Sequence, residues 1–258
     1  MDQAELLAAL AGLPLGGFRF YKSVGSTNDE ALRWAAQGAS DISIVLADEQ
    51  TAGRGRSGRK WHTPPGSALA LSILVRPTAA EHDEPARLTG LGALAVVQCC
   101  REFGLEASIK WPNDVLLGGK KVAGILVESD WSGNTLNASV IGIGVNVKAS
   151  AVPAGVALGF PATSLEGELG RGVSRPDSLR RLVAALVEWR RRLGTPEFVQ
   201  AWEDALAFHG KPVILARDGE PPLHGRLLGL EPDGSLRLET GETVTKVHFG
   251  EIHLRPGQ

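Results

Sequence analysis

Residues 109–147 read IKWPNDVLLGGKKVAGILVESDWSGNTLNASVIGIGVNV, and the spacing of apolar runs and turns in this stretch decides the fold class. Ile109–Trp111 is extended, because Pro112 disfavours the helical region for the residue before it. Val115–Leu117 turns through Gly118-Gly119 into Val122–Glu128, and Gly-Gly between apolar runs is a hairpin signal. Ser132-Gly133-Asn134 marks a second turn, leading into Ser139–Val147. Strands joined by so few residues run antiparallel, since a parallel pair needs a crossover of about a dozen residues or more. With helical patterns elsewhere in the chain, this predicts an α+β fold: a mixed or antiparallel sheet packed by helices.

Working outward, residues 4–11 form a short apolar helical stretch before Gly12 and Pro14, and Phe18–Tyr21 alternates like a strand. Thr27 and Glu30 have the spacing of a capping box opening a helix that Gly38 closes. Ser43–Ala47 and Ala68–Val75 read as strands, and Leu88–Phe103 as an apolar helix stopped by Gly104. A Gly/Ala/Pro-rich connection spans residues 149–175, followed by amphipathic helices at Leu179–Leu193 and Pro196–His209. Arg190, Arg191 and Arg192 read as a solvated face. From Gly210 onward the texture changes to short strands: Val213–Ala216, Gly225–Leu230, Ser235–Leu238, Thr243–Val247 and Ile252–Leu254. Five short strands in about fifty residues suggest a small closed barrel. The expected domains are 1–209 and 210–258.

At 258 residues and 43% hydrophobic, the chain can bury a full core. A net charge of −2 gives no global attraction to DNA or to a membrane surface. No apolar run reaches membrane-spanning length, and Asp2 and Glu5 argue against a signal peptide. Cys99 and Cys100 are adjacent in an apolar helix and read as buried thiols of a reducing, cytoplasmic compartment.

Positive charge is instead local. Residues 51–62 read TAGRGRSGRKWH, with Arg54, Arg56, Arg59 and Lys60 among three glycines and no acidic residue. Glycine allows close backbone approach to a ligand, and arginine offers donor forks matched to phosphate and carboxylate oxygens. The GxxxxGK[ST] spacing of a phosphate-binding P-loop is absent. On its own, the stretch fits a solvated loop, a nucleic-acid contact or a small-anion site.

Three further segments accompany it: Lys110-Trp111-Pro112-Asn113-Asp114, Lys121-Val122-Ala123-Gly124-Ile125-Leu126-Val127-Glu128 and Gly142-Ile143-Gly144-Val145-Asn146-Val147. In this order and at these separations, the four segments resemble the motif set of the biotin protein ligase family, from about Ser23 to the end. The resemblance implies a class II synthetase-like catalytic domain and an SH3-like C-terminal barrel. It also implies ATP-dependent conversion of biotin to biotinoyl-5'-AMP and transfer of biotin to a lysine of a biotin carboxyl carrier domain. Ser26, Thr27 and Asn28 match the biotin-head segment, and Gln50 matches the residue that hydrogen-bonds the ureido group. Gly53, Arg54, Gly55 and Arg56 match the loop closing over biotin and its adenylate, and Gly124 and Gly142 match positions where backbone passes close to the biotin ring. Lys121 matches the lysine that holds the carboxylate and α-phosphate oxygens, and with Arg56 it is the expected catalytic residue. Arg59, Lys110, Asn113, Asp114 and Asn146 fall on the nucleotide side.

Mg²⁺ is implied mainly by ATP chemistry. Asp114 is its candidate ligand, and it reads equally well as a turn residue entering the hairpin. Only 25 residues precede Ser26, which predicts a dedicated ligase without an operator-binding domain, monomeric or homodimeric. Two other readings stand beside it: a lipoate or octanoate ligase of the same superfamily, and a nucleic-acid-binding module.

Overall fold

A computed structural model describes residues 2–78, 86–153, 160–217, 221–248 and 252–257. Seven strands form the larger sheet: β1 (Gly17–Tyr21), β2 (Ser43–Ala47), β3 (Ala68–Val75), β4 (Ala107–Lys110), β5 (Asp114–Leu117), β6 (Lys120–Ser132) and β7 (Thr135–Asn146). Their order is β1-β2-β3-β7-β6-β5-β4. Only the β1–β2 pair is parallel; β2 through β7 pair antiparallel throughout. The 109–147 stretch is therefore the antiparallel meander its turns predict, and the sheet is mixed.

Helices cover both faces. On one side α3 (Ala86–Glu102) and α5 (Arg175–Arg190) pack with α1 (Gln3–Leu10) and α6 (Pro196–Asp204) over the alternate residues Leu69, Leu71, Ile73 and Val75 of β3 and Ile141, Ile143 and Val145 of β7. Gly92 lets α3 approach closely, for a Cβ there would lie 3.0 Å from Ile141. On the other side α2 (Thr27–Ala36) packs Ala31 and Ala35 against Val45, Leu74, Ala138 and Val140. This helix covers part of its face only. Beyond it, the residues presented by β3, β7 and β6 are small apart from Leu126, and the functional site forms there.

The period of two makes that possible. Paired across neighbouring strands on the α2 side lie Ala70, Gly144, Gly124 and Asp114, and beside them Ser72, Gly142 and Leu126. The same strands carry bulky residues on the opposite face, so one sheet supplies a core and a hollow at once.

Five strands form the second sheet, β8 (Pro212–Arg217), β9 (Leu223–Leu230), β10 (Leu236–Thr240), β11 (Thr243–Val247) and β12 (Ile252–Pro256), in the order β11-β10-β9-β8-β12. It is antiparallel and buries Leu215, Leu227, Leu230, Leu236, Leu238, Val247 and Leu254.

Four local expectations change. The helix at 196–209 stops at Asp204, because the next backbone pairs with β4: Ile109 N–H donates to Ala205 O at 2.6 Å and Ala207 N–H to Ile109 O at 2.8 Å. Within the supposed connection 149–175 lies a helix, α4 (Leu165–Leu169), capped by the Ser164 hydroxyl and ended by left-handed Gly170. The Thr27–Glu30 capping box does not form: Ser26 is the N-cap and makes no side-chain cap, while the Thr27 hydroxyl turns to Gln50. Arg190 is not part of a solvated face; its guanidinium donates to Arg76 O at 3.2 Å and lies 3.7 Å from Asp41. Among the described residues, no helix is long and apolar enough to cross a membrane.

Candidate active site

Two cavities share a wall above the small-residue face. The first, about 120 Å³, reaches from Ser26, Thr27, Asn28 and Gln50 at the N-terminus of α2 to Lys110 and Lys121. The second, about 410 Å³, continues from Lys110, Asp114 and Lys121 to Asn146, Phe160 and Ala162, and is also lined by Leu254 and Arg255 of β12. Trp61 lies between them and lines both.

The blind end of the first cavity is polar and pre-oriented. Gln50 Oε1 accepts from the Thr27 backbone N–H at 2.8 Å and from its hydroxyl at 3.0 Å. The Ser72 hydroxyl bridges Thr27 Oγ1 at 2.7 Å and Asn28 Oδ1 at 2.5 Å. Asn28 Nδ2 donates to Leu126 O at 3.2 Å and to Glu128 at 2.6 Å. Gly142 is obligatory in this packing, since a Cβ there would collide with the Asn28 amide. The head pocket is thus a small neutral lattice of hydroxyls and amides, suited to a flat polar group and not to a free charge.

The opposite end is cationic. Arg56, Arg59, Lys60, Lys110 and Lys121 line the first cavity with a single carboxylate, Asp114, while Arg54 lies nearer the head pocket, on Asp29 and Glu128. Lys121 reaches the cavity because β6 bulges opposite β5, where the register shifts between Val115 and Leu116. Val122 and Ala123 both turn into the core, and the bulge returns Lys121 to the same face as Gly124. Lys121 Nζ lies 2.5 Å from Asp114 Oδ1 and 5.5 Å from the Trp61 ring. Its backbone is held from above, donating to Pro161 O at 2.7 Å and accepting from Thr163 N–H at 2.9 Å. Lys110 Nζ sits 3.5 Å from the other oxygen of Asp114 and 4.7 Å from the Phe160 ring. Burial pushes the Lys110 ammonium below the usual lysine range, and Asp114 opposes the shift only in part.

Residues 50–63 form a flap. Gly53 O accepts from Trp61 N–H at 2.9 Å and Gly55 N–H donates to Arg59 O at 2.7 Å, with the turn at left-handed Ser57 and Gly58. Gly53 fits because a Cβ would lie 2.5 Å from Trp61 O. The Trp61 indole then lies flat over Gly144, which has no room for a methyl, and 3.3 Å from where a Gly124 Cβ would sit.

The structure places every residue expected from the sequence within this region, though their engagements differ. Arg56 and Arg59 line the first cavity at the flap. Arg54 points its guanidinium at Asp29 and Glu128. Asn113 is tied to β6, donating to Ile125 O at 2.9 Å while its carbonyl accepts from Ile125 N–H at 2.9 Å. That pair of hydrogen bonds fixes the turn after cis-Pro112 and places Asp114 at the site. Asn146 donates its amide to Thr163 O at 2.9 Å. Asp114 has both carboxylate oxygens on ammonium groups, and among the described residues no cluster of three or more His, Cys, Asp or Glu could hold a metal. These residues do not fit a resident Mg²⁺ site. Sequence reasoning gave no role to Trp61, Asp29, Glu128, Phe160 or Arg255. Trp61 and Glu128 stand inside the motif segments without an assigned role, while Asp29, Phe160 and Arg255 lie outside them and meet partners distant in the chain.

Known proteins resemble this chain in sequence and fold. The model of the biotin/lipoate A/B protein ligase family matches residues 20–146, and that of the biotin protein ligase C-terminal domain matches residues 208–255. The chain is 33% identical to the bifunctional ligase/repressor BirA of Bacillus subtilis, over 98% of this chain and 79% of that protein. It is 40% identical to the biotin–[acetyl-CoA-carboxylase] ligase of Paracoccus denitrificans, over 83% of this chain and 90% of the relative. The Aquifex aeolicus biotin protein ligase solved in complex with biotin and ATP superposes with a TM-score of 0.79 at 30% identity, covering 93% of this chain and 99% of that one. Similarity of sequence and of fold thus spans both sheets, and the chain belongs to the biotin protein ligase family.

Proposed function

We propose that this chain joins biotin to protein lysines through an acyl adenylate, with the biotin ring in the neutral head pocket and the nucleotide in the larger cavity. A single observation carries the reading: a blind pocket lined by hydroxyls and amides opens, past bare glycines, onto paired lysines at the mouth of a second cavity. A carboxylate does not acylate an amine at neutral pH, because oxide is a poor leaving group. Attack of the biotin carboxylate oxygen on the α-phosphorus of ATP releases pyrophosphate and leaves AMP as the activated leaving group. The acceptor amine then forms the amide bond to the carbonyl carbon, and AMP departs.

Both partners of the first step are anionic, so the site must supply fixed positive charge. Lys121 is the residue we assign to the junction, where the carboxylate and α-phosphate oxygens meet. Asp114 holds its ammonium in place before substrates arrive, and Lys110 adds a second, partly desolvated charge. Charge-assisted hydrogen bonds contribute roughly 1.5–3 kcal/mol each, enough for a few cations to offset much of the repulsion. Trp61 excludes water from the junction. Mg²⁺ would arrive on the ATP phosphates, and the acceptor is a biotin carboxyl carrier domain of a carboxylase. We divide the chain into domains 1–209 and 210–258, a reading supported by the change from α6 to the second sheet, and the buried thiols suit a cytoplasmic protein.

Pyrophosphate exchange into ATP, measured with biotin, lipoate and octanoate in turn, tests the reading. Exchange driven by biotin and lost in Lys121→Ala is expected. Exchange driven by lipoate alone would assign the pocket to the sister activity.

A further inference from the structure

The flap carries an arginine whose charge is spent on protein, not on the cavity. Arg54 Nη1 and Nη2 donate to the two oxygens of Asp29 at 2.9 and 2.6 Å, and Nη2 also meets both oxygens of Glu128 at 3.2 and 3.1 Å. These hydrogen bonds and the two carboxylates hold the guanidinium even more firmly protonated than usual, and Asp29 titrates below the ordinary carboxylate range. Asp29 lies in the first turn of α2 and Glu128 on β6, so one flap residue is fastened to a helix and to the sheet. Asp29 does not line the first cavity.

The fastening continues inward. Glu128 accepts from Asn28, Asn28 accepts from Ser72, the Ser72 and Thr27 hydroxyls share a hydrogen bond, and the Thr27 backbone N–H donates to Gln50, which sits at the base of the flap. Every link is 2.8 Å or less, so the path from flap to head pocket and back is closed.

We propose that Asp29 and Glu128 are positioning residues, a two-carboxylate latch that grips Arg54, closes the 50–63 flap over the acyl adenylate and couples closure to the head pocket. The inference rests on the function proposed above for the pocket's occupant, but the latch itself is a property of the ligand-free protein. Two readouts keep the two apart: amide hydrogen exchange of Gly55 and Trp61 without ligand, and biotin-dependent pyrophosphate exchange.

In Asp29→Asn, exchange of the Gly55 and Trp61 amides should accelerate about tenfold, the fold-change expected for losing one charge-assisted contact. The half-saturating biotin concentration should rise by a similar factor with kcat for pyrophosphate exchange unchanged, and free biotinoyl-AMP should appear in solution. Asp29→Glu, which keeps the carboxylate, should restore both readouts to near the starting values. Glu128→Gln should reproduce the flap effect. Wild-type amide exchange and biotin saturation in Asp29→Asn would overturn the latch. So would a fall in kcat with no change in flap exchange. A protein in which biotin drives no pyrophosphate exchange, yet whose flap still loosens in Asp29→Asn, would overturn the ligase reading and leave the latch standing.

Discussion

Lys121 shows how much one residue depends on its neighbours. Its ammonium reaches the junction only because a bulge turns it onto the cavity face, and Asp114 keeps it there. Replacing it with alanine should lower pyrophosphate exchange by about 10²–10³-fold, the scale for losing one preorganised charge donor, while thermal unfolding stays nearly unchanged. Lys110 adds a pH signature. Its lowered pKa means that the charge is lost as pH rises, below the range where an ordinary lysine titrates. The alkaline limb of the exchange rate should therefore begin early, and Lys110→Arg, whose guanidinium stays charged, should move that limb upward. Gly142→Ala places a methyl on the Asn28 amide; we expect about 1–3 kcal/mol of lost stability and weaker biotin saturation. Residues 54, 56, 59, 110 and 121 were legible as cations in a glycine-rich context. Which of them is neutralised was not, because Asp29 and Glu128 lie 25 and 74 residues from Arg54.

Among the elements, the strands were legible wherever two signals agreed. Apolar runs bounded by glycine turns gave β5, β6 and β7, and alternation in β3 and β7 separated core from cavity face. The bulge at Val122 was hidden, because a bulge is set by the partner strand's register and leaves no local mark. The end of α6 was hidden for the same reason: residues 205–207 read as helix and pair with β4 instead. Ser164 and Gly170, the caps of α4, were present in the sequence but were submerged in a glycine-rich stretch. One buried side chain ties three elements together. Arg175, 5% exposed, donates from Nε and Nη2 to Ala68 O and from Nη1 to Asp48 at 2.6 Å. Arg175→Met leaves the buried Ala68 carbonyl without these donors, and denaturant unfolding should show a loss of about 1–3 kcal/mol.

For the whole molecule, the second sheet is part of the site. Leu254 and Arg255 line the larger cavity, and Glu203, Trp111 and Arg87 help dock their sheet. Glu203 accepts from Leu230 N–H at 2.6 Å and from Arg237 at 3.4 Å, the Trp111 indole donates to Gly234 O at 3.1 Å, and Arg87 donates to Pro232 O at 2.7 Å. Glu203→Ala should raise the half-saturating ATP concentration about fivefold, the equivalent of roughly 1 kcal/mol of docking, with biotin saturation little affected; equal changes for both substrates would argue against docking as the cause. Short strands made this sheet legible from sequence, but its position at the larger cavity depended on contacts no local pattern carries. The two thiols have a different consequence. Cys99 and Cys100 are the chain's only cysteines; both are buried in α3, and desolvation pushes Cys100 up to about 12 and Cys99 well above its normal value. Alkylating reagents should therefore ignore the native protein, so that a cysteine introduced in the flap can carry a fluorescent dye without background, and the slow reaction of the native pair becomes a clock for opening of the helix–sheet layer.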